Sequence, residues 1–130
     1  MLKFNHIGVA VKDITEVSNL YKKMFEGSED AGRFAVSSQS VDVAFLKLGE
    51  SFKFEFVQPL DDSSPVNSFL KRKSPYYHIA FTSSDFDKDV KHLESCGLRA
   101  MDVFNSEAFK MKRCVFFVGP DNHLIEVVEE

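Results

Sequence analysis

The feature that most constrains this 130-residue chain is that it carries one pattern twice. His6-Ile7-Gly8-Val9 aligns with His78-Ile79-Ala80-Phe81, and Asp13 with Asp85, at an offset of 72. Phe54-Glu55-Phe56-Val57 aligns with Ile125-Glu126-Val127-Val128 at an offset of 71. Each copy must therefore build the same supersecondary unit, and the two units must bury a face together.

The periodicity of each copy shows what that unit is. In the first, a strand over 2–11 leads into the capping-box-like Asp13-Ile14-Thr15-Glu16. Ile14, Val17, Leu20, Tyr21, Met24 and Phe25 then recur at helical spacing, with Gly27 as the stop. Strands follow over 33–36, 41–48 and 52–57. In the second copy a strand over 76–82 precedes a helix opening at Asp85, with Phe86, Val90 and Leu93 on one face and Gly97 at its end. Strands over 99–104, 111–118 and 124–128 complete it. Ser63-Ser64-Pro65 reads as the opening of a short linking helix. The expectation is an α+β fold in which two βαβββ modules form a curved mixed β-sheet. It is a single domain over 1–130, with module 1 at about 1–60, the linking helix at about 63–73 and module 2 at about 75–130.

Strand alternation sets directions. Phe4, His6, Gly8 and Ala10 are expected on one face, opposite Ile7, Val9 and Val11. Likewise Tyr76, His78 and Ala80 oppose Tyr77, Ile79 and Phe81. In the closing strands, Lys53, Glu55 and Val57 oppose the phenylalanines, and Leu124, Glu126 and Val128 oppose Ile125 and Val127. One face of each module can lie under its helix. The other carries one His and one Glu among small residues. A lone histidine on a strand is usually structural and a lone outward glutamate is usually just solvated, but four in repeat register make an N₂O₂ donor set. That set suits one divalent ion with open positions: Ni, Co, Zn, Mn or Fe.

Composition closes off other classes. With 16 Lys+Arg against 20 Asp+Glu, the net charge of −4 disfavours nucleic acid as a partner. No window holds the roughly eighteen apolar residues a membrane span needs. The first residues run directly into strand-like sequence with no signal-peptide pattern. Cys96 and Cys114 are far apart and form no paired motif, so a cytoplasmic protein with reduced cysteines is expected.

The paired modules, together with His6-Ile7-Gly8-Val9-Ala10-Val11-Lys12-Asp13, Tyr77-His78-Ile79-Ala80-Phe81 and Gly119-Pro120-Asp121-Asn122-His123-Leu124-Ile125-Glu126, resemble the vicinal oxygen chelate superfamily over nearly the whole chain. The likeness is greatest to methylmalonyl-CoA epimerase-like and glyoxalase-like members, through Phe54-Glu55-Phe56-Val57-Gln58-Pro59-Leu60 and Asp62-Ser63-Ser64-Pro65. This resemblance implies a metal-dependent isomerase or lyase that abstracts a proton next to a carbonyl through a metal-stabilised enolate. His6, Glu55, His78 and Glu126 would be the ligands, and Glu126 the base with Glu55 as the second catalytic carboxylate. It also implies a homodimer and a small-molecule substrate, either a CoA thioester or a 2-oxoaldehyde adduct. Two departures stand out. Asp42 or a neighbour occupies the middle-strand position where some epimerases carry a further catalytic Glu. Ala10 replaces the Arg with which glyoxalase I holds glutathione. The alternatives are a metal-free ligand-sequestering module of the bleomycin-resistance type and a ring-cleaving dioxygenase. The basic clusters Lys71-Arg72-Lys73 and Lys110, Lys112, Arg113 are read as solvated faces, with anion binding as the other possibility, and His92 and His123 as surface residues.

Overall fold

The computed structural model describes residues 1–130. The first copy runs β1 (Leu2–Ala10), α1 (Ile14–Met24), β2 (Glu29–Val36), β3 (Val41–Leu48) and β4 (Phe52–Pro59). A short helix α2 (Val66–Lys71) leads to the second copy: β5 (Tyr76–Ser83), α3 (Phe86–Ser95), β6 (Arg99–Ala100), β7 (Phe104–Ser106), β8 (Lys112–Val118) and β9 (Leu124–Glu129). Both long helices start where the repeat predicts. Asp13 accepts from the Glu16 N–H at 3.2 Å, and Asp85 from the Lys88 N–H at 3.4 Å.

All nine strands form one mixed sheet in the order β2-β3-β4-β1-β5-β9-β8-β6, with β7 also on β8. Each copy closes on itself through a parallel pair, β1 with β4 and β5 with β9, and antiparallel β1–β5 joins the copies at the centre. Sidedness follows from the apolar pattern. Val9, Val11, Ala44, Leu46 and Phe56 pack under α1 with Ile14, while Val115, Phe117 and Val127 pack under α3 with Phe86. Fully burying a side chain of this kind contributes about 1.5–3 kcal/mol, which anchors each helix to its own module. The opposite face curves inward over Ala10, Val36, Val41, Val43, Phe45, Val57 and Tyr77.

Several elements differ from expectation. β2 begins at Glu29, four residues early, and α2 is shorter than 63–73, with Pro65 at its N-cap and no side-chain capping bond. The strand expected over 99–104 is two short pieces, because the chain leaves the ladder after the Met101 N–H donates to the Phe116 carbonyl and rejoins it at Phe104. Two β-bulges change facing. The β1–β5 register shifts between Phe4 and His6, and again where Gly8 pairs with His78 but Val9 with Tyr76. The first shift turns Phe4 to the helix side, where its ring lies 5.6 Å from Phe52 and 6.4 Å from Phe81. The second brings Tyr77 onto the inner face beside His78 instead of opposite it. Both bulges fall immediately before the repeat histidines, and bulges commonly re-aim side chains next to functional sites.

Candidate functional site

His6, Glu55, His78 and Glu126 lie on β1, β4, β5 and β9, the four central strands of the sheet. Register places them in two rows related by the repeat. His6 pairs with Ala80, which pairs with Glu126; His78 pairs with Gly8, which pairs with Glu55. A small residue thus separates each His from its Glu. At Gly8 this is a steric requirement, because a Cβ there would come within 2.3–2.7 Å of the His78 ring. The room left by Gly8 is therefore filled by the His78 imidazole.

The four side chains converge. The two Nε2 atoms are 3.0 Å apart, Glu55 Oε1 lies 3.6 Å from His6 Nε2 and 3.4 Å from His78 Nε2, and Glu126 Oε1 lies 3.5 and 3.8 Å from the same atoms. All four residues are at least 95 % buried. Donors held about 2.1 Å from one divalent ion stand roughly 3.0–3.4 Å from each other, depending on coordination number, and the 3.0–3.8 Å spacings of the two histidine nitrogens to each other and to both carboxylates approach such a set. His6, Glu55 and His78 form its tightest part. Glu126 Oε1 has no hydrogen-bond partner although it is buried; an orphaned buried acceptor is costly, and a cation at the convergence point would satisfy it. The tautomer of His6 is set by Asn5, whose Oδ1 lies 2.7 Å from Nδ1 and accepts its proton, leaving Nε2 free to coordinate. His78 has no such support, and its Nδ1 is unpartnered.

Electrostatics point the same way. Burial pushes the Glu126 carboxyl well above its ordinary range, and the neighbouring Glu55 carboxylate adds to this. Burial also opposes ionisation of Glu55, but the His6 imidazole, then His78 and Lys53, hold it below the usual value. His78 is lowered to about 3, mainly by burial, and is neutral near pH 7. Without a cation the site cannot keep both carboxylates charged.

Aromatic walls repeat the symmetry. Phe45 meets the His6 ring edge-on at 5.6 Å and Phe116 meets His78 edge-on at 5.2 Å. The repeat is broken above the site by the turn after β7, from which Phe109 stacks on His6 at 5.8 Å. Glu107 of the same turn accepts from the Ser37 backbone N–H and hydroxyl across the cup. The cavity over the site, bounded by Gln39, Val41, Val43, Tyr77, Phe104 and Phe109 among others, measures ≈ 20 Å³, room for an ion or one water.

Asn5, Tyr77 and Phe109 are site-forming residues that the sequence reading missed. The bulges hid Tyr77, and nothing in the repeat predicted Phe109. Asp42 is corrected. It lies on the β3 face away from the cup and bonds Arg33 at 2.8 Å, while the inner positions of that strand are Val41, Val43 and Phe45. Arg113 is committed to Glu129 and Asp87, and Arg72 lies over the Phe69 ring. Cys114 is buried with its thiol pushed up in pKa by that burial, so it remains unreactive.

Paired βαβββ units that bring two His and two Glu to the inner face of one curved sheet define a glyoxalase-type α+β protein. The chain belongs to the Glyoxalase/Bleomycin resistance protein/Dioxygenase superfamily, whose family model matches residues 5–126. It is 30% identical to the uncharacterized protein YqjC of Bacillus subtilis, over 99% of this chain and 93% of that one. It is also 30% identical to the mitochondrial methylmalonyl-CoA epimerase of Dictyostelium discoideum, over 77% of this chain but only 60% of that longer protein. The crystal structure of methylmalonyl-CoA epimerase from Mycobacterium tuberculosis superposes with a TM-score of 0.85 at 27% identity, covering 98% of this chain and 87% of that one. The chain is thus similar to methylmalonyl-CoA epimerases in sequence and fold. None of its helices is long and apolar enough to cross a membrane.

Proposed function

We propose that this protein is a metal-dependent isomerase that moves a proton at the carbon next to the carbonyl of an acyl-CoA thioester, in the manner of an epimerase. The observation that carries the reading is the convergence of four buried donor atoms, one from each of four adjacent strands: the two histidine Nε2 atoms lie 3.0 Å apart, and each carboxylate oxygen lies 3.4–3.8 Å from both. His6, His78, Glu55 and Glu126 would hold one divalent ion, among Ni, Co, Zn, Mn and Fe. When bound, that ion supplies Lewis acidity for the charge that develops on the carbonyl oxygen as the adjacent C–H is deprotonated.

The chain's own residues do the rest. Glu126, with no protein hydrogen bond to Oε1, takes the proton from the carbon. Glu55, which comes from the other repeat and the other row, returns a proton from the opposite side. No third carboxylate assists, since the inner face of β3 is apolar. Asn5 keeps His6 Nε2 free of its proton, and the Phe45, Phe109 and Phe116 walls keep water from the carbanion. Methylmalonyl-CoA is the substrate the named relatives suggest first.

The test pairs elemental analysis with deuterium uptake at C2 of methylmalonyl-CoA in D₂O. We expect close to one ion per chain in wild type and almost none in His6→Ala/His78→Ala. Glu126→Gln should keep most of the metal and lose about 10²–10⁴ in exchange rate. Absence of specific metal in wild type, or full exchange in Glu126→Gln, would overturn the mechanism and favour a ligand-sequestering module.

A further inference from the structure

Two lysines stand face to face on the same inner side as the donor cluster, and neither makes a direct ion pair. Lys47 on β3 pairs directly with Lys53 on β4, two residues before Glu55, and the alternation of both strands turns them to the cup side. Like charges directly opposite on adjacent strands destabilise a sheet, yet neither ammonium makes a hydrogen bond or ion pair. Elsewhere on the surface some charges are paired locally, as with Lys22–Asp30, Arg33–Asp42 and Arg113–Glu129. Glu29 stands across from Lys47 on β2 but is not bonded to it, and Glu50 borders the same groove without pairing.

Lys53 is also positioned. Its Nζ lies 4.9 Å from the centre of the Phe45 ring and 5.9 Å from that of Phe109, and those are the two rings that pack on His6. The ammonium is therefore half-buried, held by aromatic faces, and one ring away from the donor cluster. Together with Asn5, Ala31, Lys47 and Phe52 it lines a groove beside the cup. A cation held on rings, opposed by a second cation and balanced only through space by the Glu55 carboxylate, with no ion pair of its own, is a seat for an anion.

We propose that Lys53, with Lys47 behind it, binds an anionic group of the substrate, a carboxylate or a phosphate, and so restricts the site to acyl thioesters that carry one. The identity of the thioester rests on the reading above; the anion seat itself does not. A carboxylate on the acyl group lies within a bond or two of the reacting carbon. The first phosphate of the carrier lies beyond a pantetheine arm of about four peptide-like units, hence roughly 14 Å when extended. Both sources share one chemistry at Lys53.

The first arm needs no turnover. Wild-type protein loaded with its metal is titrated with malonate and, separately, with pyrophosphate, following amide and lysine side-chain shifts by NMR. Saturable binding of either probe that perturbs Lys53 and weakens at least tenfold in Lys53→Met, and less in Lys47→Met, supports the seat. Binding of neither probe, or binding unchanged in Lys53→Met, overturns it, whether or not the protein proves to be an isomerase. Metal content equal to wild type shows that Lys53→Met has folded.

The second arm compares wild type and Lys53→Met in C2 exchange. With the acyl carboxylate as the anion, the variant's rise in KM persists on the methylmalonyl thioester of N-acetylcysteamine and vanishes on propionyl-CoA. With phosphate as the anion, the pattern reverses. An equal loss on every thioester would overturn the proposal.

Discussion

Gly8 and Asn5 show how narrowly single residues set this site. Gly8 has an ordinary strand role and no positive φ, so a larger residue is excluded by contact alone: its Cβ would overlap the His78 ring. Gly8→Ala should push His78 off the cluster, with a drop of at least tenfold in metal affinity measured by competition with a chromophoric chelator, while far-UV dichroism stays native. Asn5 acts one step further out. Removing a hydrogen-bond partner from a ligating imidazole typically costs 10–100-fold in metal affinity or activity, and Asn5→Leu should fall in that range. Unchanged affinity would mean that Asn5 does not set the His6 tautomer. Both effects depend on neighbours that sequence alone could only partly foresee. The four converging side chains were legible as a group because the repeat marked them twice, whereas Asn5 and Tyr77 sit at bulges that strand alternation cannot see.

The secondary-structure elements repeat faithfully where local chemistry governs them. Asp13 and Asp85 cap α1 and α3 in the same way. Each should cost about 0.5–2 kcal/mol when replaced by alanine, and the double variant should show additive losses in urea melts, because the two caps belong to separate modules. Marked non-additivity would show that the helices are coupled through the sheet. The elements diverge where packing between copies takes over. After β7 the chain turns through Glu107–Phe109 into Lys110 at φ 54° and brings Phe109 over His6, whereas the matching turn in the first copy, Ser37–Gln39, offers Ser37 to Glu107. Sequence periodicity predicted strands on either side but not this contact, which joins residues seventy positions apart.

At the level of the whole molecule, the buried cluster links stability to pH. In the metal-free protein the folded-state pKa of His78 is about 3 against 6.5 when exposed. The unfolded chain binds the extra proton between those values, so this contribution to stability is full above pH 6.5 and is lost as pH falls toward 3. Glu126 acts in the opposite sense. Its folded pKa is raised well above 4.5, so its contribution is full below 4.5 and fades as pH rises through the elevated value. Thermal melts in EDTA should therefore show greatest stability in the weakly acidic range. A divalent ion favours ionised Glu126 and binds only the folded chain, so it should raise Tm more at pH 8 than at pH 6. A metal effect that shrinks with rising pH would contradict the assigned roles.

The sequence by itself determined the two βαβββ modules, the α+β class, both helix starts and the four polar residues at the core of the site. These follow from short-range causes: hydrophobic period, capping chemistry and a pattern written twice. Only the tertiary structure decided that Glu55 and Glu126 meet both histidines, that Asp42 turns away, that Tyr77 turns in, and that Lys47 and Lys53 face each other beside the cup. Each depends on strand pairing and bulges between distant segments, where a shift of one residue reverses which way a side chain points.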